Sequence, residues 1–206
     1  MARARIALLL LATIVVAPSL LARGAKKGET APGTYKNWGP DIDQVEVLTT
    51  FKGGDYDTIA VLPFDTTKTP LPDSKEKSYG AIKQVLDGYS DTLTEALRDE
   101  LKGKMKVEKV HSAPKSAKTL ILRGTVDQIE PGSRAKRYIG GFGAGSSANK
   151  VTAELVDAKS GALLLRFTQA RRSGGTFKVA GGSDVQVMRD SIHAIGEDIA
   201  HILDQF

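Results

Sequence analysis

The sequence predicts an α+β protein: a mixed, mostly antiparallel sheet of about five strands packed in two layers against two long helices, in the order β-α-β-β-β-β-α. Three observations carry this. A continuous apolar run, Ile59-Ala60-Val61-Leu62, ends at Pro63-Phe64 and reads as a strand buried on both sides. Three later segments alternate apolar and polar residues with the period of a half-buried strand. Two further segments repeat apolar residues at intervals of three and four, the period of an amphipathic helix.

The chain has 206 residues, the size of one ordinary domain. It opens with Arg3 and Arg5, an apolar run from Ile6 to Val16, and the break Pro18-Ser19. This is the pattern of a cleavable export signal, residues 1–22, cut after Ala22 or alternatively after Ser19. The apolar run is shorter than the ~20 residues a membrane span needs. Residues 23–54 are rich in Gly, Pro and polar residues and read as a tether, with Val45, Val47 and Leu48 offering a short edge strand or first turn. Tyr35 and Trp38 would anchor that tether on the domain. The remainder, residues 55–206, is expected to form a single domain.

Within it, the strand at Ile59 is followed by a polar loop and then by Asp73 and Glu76, a spacing like that of a capping box. One long helix is expected from there, with Tyr79, Ile82, Val85, Leu86, Tyr89, Leu93, Ala96, Leu97 and Leu101 on its apolar side and Gly103 as a left-handed stop. Val107 and Val110 suggest a short strand. Leu120, Leu122 and Val126 alternate against Arg123, Thr125 and Asp127, giving a strand with one wet face. Val151, Ala153 and Leu155 do the same, as do Leu163, Leu165 and Phe167, and the turn Asp157-Ala158-Lys159-Ser160-Gly161 between them predicts a hairpin. After Gly181-Gly182, the residues Val185, Met188, Ile192, Ile195, Ile199, Ile202 and Leu203 mark a closing amphipathic helix.

Composition excludes several chemistries. Without cysteine there is no thiolate metal site, no cysteine nucleophile, no disulfide and no acylated-cysteine anchor. The formal charge of +5 falls to +3 once Arg3 and Arg5 leave with the signal, and the surplus is dispersed, which argues against nucleic-acid binding. No Gly-x-Ser-x-Gly elbow is present, and neighbouring carboxylates such as Asp127 and Glu130 or Asp55 and Asp57 read as solvated turn residues. No catalytic constellation and no cofactor site is expected.

Two stretches invite a site. The first is Pro131 to Ser147, where Arg134, Lys136, Arg137 and Tyr138 precede Gly141, Phe142, Gly143 and Gly145. A phosphate loop would need a helix after it, and here a strand follows, so nucleotide binding is disfavoured. Glycine-enabled packing or a flexible connection is the plain alternative. An exposed backbone beside basic and aromatic side chains suits contact with another chain or an anionic envelope component. The second stretch, His193, Glu197 and His201, is spaced by four on the closing helix and is a weak metal candidate. Ile195, Ile199 and Ile202 centre on the opposite side, so the triplet is expected on the solvated face, without the supporting shell that metal ligands need.

The segment Arg137-Tyr138-Ile139-Gly140-Gly141-Phe142-Gly143-Ala144-Gly145, with the Asp157-Ala158-Lys159-Ser160-Gly161 turn, resembles a bacterial family of exported proteins and lipoproteins whose domain has no assigned function. The likeness runs from about Asp57 to the C-terminus. The strand Thr58 to Phe64 before a long helix also resembles the N-terminal domains of the Tol-system propeller protein and of the curli secretion lipoprotein. The resemblance implies an α+β envelope domain that works by protein contacts. The lack of cysteine departs from the lipoprotein members. The expectation is thus a non-enzymatic periplasmic or secreted module with an unidentified envelope protein as partner, attached to a membrane only through an uncleaved signal. Self-association is compatible with the sequence. The alternative, from a different class, is a small-ligand-binding domain with the glycine-rich loop over a pocket.

Overall fold

The computed structural model describes residues 22–23, 31–39, 42–132, 147–172 and 183–206. In chain order the elements are β1 (Ala22–Arg23), β2 (Gly33–Gly39), β3 (Ile42–Val47), β4 (Thr58–Val61), α1 (Tyr79–Asp87), α2 (Tyr89–Glu100), β5 (Lys106–Lys109), β6 (Thr119–Glu130), β7 (Ala148–Asp157), β8 (Leu163–Arg172) and α3 (Asp184–Leu203). Among the described residues the strands form one eight-stranded sheet in the order β1-β2-β3-β8-β7-β6-β4-β5. From β2 to β7 through β3 and β8, and on to β6, neighbours are antiparallel; β4 lies parallel to both β5 and β6. The crossover from β4 to its parallel neighbour β5 carries α1 and α2, as a parallel connection requires.

Side-chain alternation then sorts the sheet into two faces. Val45, Val47, Ile59, Val61, Leu120, Leu122, Val126, Val151, Leu155, Leu165 and Phe167 all lie in one buried cluster with Ile82, Val85, Leu93 and Leu97 of the first two helices and Met188, Ile192, Ile195, Ile199 and Ile202 of α3. The helices therefore cover this face. The helices of that layer approach tightly at Gly196 of α3, where a Cβ would sit 2.6 Å from the Cβ of Ala96 in α2. Glycine here trades helix propensity for contact between two helices.

The α+β class, the buried β4, the β7–β8 hairpin and α3 agree with the expectation from sequence. The hairpin turn is closed by Gly161 at φ +75° and by Asp157 Oδ1, which accepts from Ser160 N at 2.6 Å. Three features differ. The stretch 23–54, expected as a tether with a short edge strand or first turn at Val45, Val47 and Leu48, contributes β2 and β3 to the sheet: Tyr35, Ile42, Val45 and Val47 are buried, Leu48 is not, and β3 pairs with β8 along its length. The sheet accordingly has more strands than the expected five. The expected single long helix is two, because at Gly88 the backbone leaves the helical region (φ −102°, ψ 7°), and Tyr89 just after the break is fully buried. Finally, Asp73 does not cap a helix. Its carboxylate accepts from Lys75 N at 2.9 Å in a local turn, and α1 begins only at Tyr79.

Replacing Gly196 by Ala tests the helix contact. An added methyl gains about 1 kcal/mol of helix propensity, but overpacking a tight contact costs about 1–3 kcal/mol. The expected outcome is a net loss of stability in urea denaturation, recovered in part by Ala96→Gly in the same chain.

Candidate functional site at the glycine-rich end of the sheet

The register brings the two glycine-rich connections to one place. Glu130 at the end of β6 pairs with Ala148 at the start of β7, and Ala148 pairs with Arg172 at the end of β8. The connections over residues 131–147 and 173–182 thus leave the sheet from three adjacent strands. The basic and aromatic residues singled out from sequence, Arg134, Lys136, Arg137, Tyr138 and Phe142, with Gly141, Gly143 and Gly145, lie outside the described residues.

Beneath this end, on the helix-covered face, the alternation of β7 and β8 stops delivering apolar residues and delivers Asn149, Gln169 and Arg171 instead. Asn149 and Gln169 are 1% and 0% exposed. Asn149 accepts from the Tyr89 hydroxyl at 3.3 Å and donates to Ser191 Oγ at 3.1 Å. Burial pushes the Tyr89 hydroxyl pKa well above its ordinary value, so it stays protonated and serves as a donor. Asp198, on the buried side of α3, receives two hydrogen bonds from Arg171, from Nε at 3.0 Å and from Nη2 at 2.7 Å, and a third from Gln169 Nε2. Gln169 Oε1 is buried without a hydrogen-bond partner among the described residues.

The cluster clamps α3 onto β8 immediately below the connections. Asp198 is committed to Arg171 and Gln169, so the arrangement holds position rather than supplying a free base. Sequence reading missed Asn149, Gln169, Arg171 and Asp198. For Asn149, Gln169 and Arg171 the available signal was their place, at inward positions of the otherwise apolar alternation of β7 and β8.

The histidine triplet sits where the helical wheel placed it. His193 is half-buried and Glu197 and His201 are exposed along α3. Among the described residues no group of three or more His, Asp or Glu is gathered to hold a metal ion.

At the opposite end of the sheet a cavity of about 260 Å³ opens between Tyr56, Leu101, Met105, Leu203 and Phe206, with the Lys104–Asp204 ion pair at its rim. It is therefore not a pocket under the connection 131–147. Aromatic rings close the wall beside it: Phe206 stacks on Phe51 at 4.4 Å and on Trp38 at 5.6 Å, Trp38 meets Tyr35 edge-on at 5.0 Å, and Phe51 meets Tyr56 at 6.2 Å. Burial, together with the hydrogen bond its hydroxyl donates to Asp157, pushes the Tyr56 pKa up to about 12. The bonds from Ser160 and Tyr56 in turn hold the Asp157 carboxyl below the ordinary carboxylate range.

These features define a two-layer α+β domain with its helices on one face and paired glycine-rich connections at one end. The chain belongs to the family described as Domain of unknown function (DUF4410), whose profile matches residues 59–175. No curated protein matches the chain in sequence. Among solved structures it is similar to the PelC dodecamer from Paraburkholderia phytofirmans, with 15% identity, 76% of this chain and 94% of that chain covered, and a TM-score of 0.45. It is also similar to protein XCC0632 from Xanthomonas campestris, with 14% identity, coverage of 73% and 85%, and a TM-score of 0.43. Lipoprotein GNA1162 from Neisseria meningitidis matches at 16% identity, with coverage of 70% and 99% and a TM-score of 0.32.

Two substitutions test this description. Asp198→Ala removes the carboxylate to which Arg171 and Gln169 both donate and is expected to cost about 3 kcal/mol in chemical denaturation. Asp157 has a folded pKa below its unfolded one, so its contribution is complete above the unfolded value of about 3.9 and is lost as pH falls through the folded value. Asp157→Ala is expected to flatten the acid limb of the stability curve relative to wild type, measured as the denaturant midpoint against pH.

Proposed function

We infer that the chain is a non-enzymatic, exported protein-interaction module whose contact surface is the glycine-rich end of the sheet. The observation that carries this is the register Glu130 to Ala148 to Arg172, which makes two glycine-rich connections issue side by side from a platform fixed by the Asp198 clamp. Both connections combine a phenylalanine and basic side chains with glycines, as in Phe142 with Arg137 and Phe177 with Lys178. Glycine leaves backbone N–H and C=O groups accessible, aromatic rings supply contact area at small entropic cost, and a basic side chain selects an acidic partner. The export pattern at Arg3 to Ala22 supports a site of action in the periplasm or outside the cell. Among the described residues no helix is long and apolar enough to cross a membrane. Kinship with the Tol and curli envelope domains belongs to the same reading and rests on the Thr58 to Phe64 strand and the helices after it.

Site-specific photo-crosslinkers at Tyr138 and Phe142, with Lys102 on the far side as control, test this in intact cells. A discrete adduct is expected from the two loop positions, absent at Lys102 and lost in Arg137→Glu and Gly141→Pro chains that melt as wild type does. Adducts from Lys102 alone, or loop adducts indifferent to both substitutions, overturn the assignment.

A further inference from the structure

No described helix lies on the face of the sheet opposite α1, α2 and α3, where Ile121 and Val156 are buried beside Ala158, Leu62 and Leu163, and its charges follow a pattern. Glu46, Arg166, Glu154 and Arg123 are successive cross-strand partners on β3, β8, β7 and β6. Arg166 lies 2.8 Å from Glu154 and 3.3 Å from Glu46, and Arg123 lies 2.8 Å from Glu154. Although partial burial opposes it, hydrogen bonds from Arg166 and Arg123 hold the Glu154 carboxyl below its ordinary range, so Glu154 is ionised at neutral pH. Its signs alternate: minus, plus, minus, plus. A second row begins at Lys36, crosses Gln44, Thr168, Thr152 and Thr125, and ends at Asp65, which bridges to Thr125. On the other side of the charged row, Leu163 packs on Val156 and Ile121, and Leu48 is 39% exposed.

Each row inverts its charge when reflected about the line between β8 and β7. A two-fold axis along that line, lying between two facing copies, therefore sets opposite charges against each other everywhere. Arg166 meets Glu154 of the second copy, Glu46 meets Arg123, Thr168 meets Thr152, and the apolar row meets itself. We propose that two copies of this chain pair through the uncovered face of β3, β8, β7 and β6 about this axis.

The pattern is self-complementary, as a symmetric interface demands. It is also specific, because sliding one copy sideways by a single strand places glutamate on glutamate and arginine on arginine. The ion pairs within each copy already order these side chains, so less conformational freedom is lost on association. Four strands about 4.8 Å apart, of 6, 10, 10 and 12 residues, offer on the order of 600 Å² per copy. With part of β2 and β4 this approaches the ~800 Å² per partner of a standard interface. Sheet twist carries β2 and β4 away from the contact, leaving Lys36 and Asp65 at the rim, where opposite charges steer encounter.

Sedimentation of the purified chain tests the pairing through Arg166→Glu and Glu154→Arg. Wild type is expected at twice the monomer mass. Each variant alone places like charges across the axis and is expected to weaken association at least tenfold. An equimolar mixture of the two restores every opposite pair and is expected to return to the dimer mass as a heterodimer. That recovery separates loss of the interface from loss of the fold. Independently, mixing Thr152→Cys and Thr168→Cys chains, which carry no other cysteine, with a short bis-maleimide should give crosslinks between unlike chains in preference to like ones. A monomeric wild type, variants that dimerise as wild type does, a mixture that stays monomeric, or crosslinks without that preference would each overturn the proposal.

Discussion

A slip of one residue in the pairing of β7 with β8 would turn Glu154 under the helices and Leu155 into water, and the structure of this protein rests on preventing it. The register is fixed at one end by the Asp157 turn and along its middle by the Glu154 bridge to Arg166. A sheet faithful to that register can only have one apolar side and one ionic side. The helices are recruited to the first by the hydrophobic effect, since burying an aliphatic side chain gains about 1.5–3 kcal/mol. The second is left with charges that satisfy one another.

The same alternation explains why the polar clamp lies where it does. Continued toward Ala148 and Arg172, the inward positions fall at the margin of the helical layer, where Arg171 keeps 18% of its side chain exposed while Asp198 keeps 7%. An apolar replacement of similar shape would hold α3 as well or better, because a buried ion pair gains little over its desolvation cost. What the pair adds is uniqueness. With Asp198 on Arg171, α3 cannot slide by a turn without abandoning a buried charge, and the two connections keep their fixed points of departure.

Much of this was legible from residue order. The apolar run at Ile59, the alternation around Leu122, Ala153 and Leu165, and the glycine turn at Gly161 carry strong local signals, and local signals suffice for a hairpin or a helix. β2 was obscured, and β3 legible only as a short edge strand or first turn at Val45 and Val47, because Gly33, Gly39 and Pro40 interrupt the pattern there, while the pairing of β3 depends on a partner, β8, far along the chain. The break at Gly88 was hidden because the apolar spacing continues unbroken across it into α2. The clamp was hidden because Asp198, between Ile195 and Ile199, resembles any surface carboxylate until the helix is docked. The exposed positions of Glu197 and His201 followed from spacing alone, since the isoleucines fix the buried side of α3, while His193 at its margin is half-buried.

The union of β3 with β8 joins Glu46 to Arg166 across 120 residues of chain, and a contact of that span closes late. During synthesis β3 therefore waits for a strand that has not yet emerged. Until the two strands meet, β8, once formed on β7, presents an open row of backbone donors and acceptors to any extended peptide nearby. The N-terminal hairpin thus serves as the molecule's own plug: a chain deprived of it would keep a sticky margin along the β8 edge of its sheet.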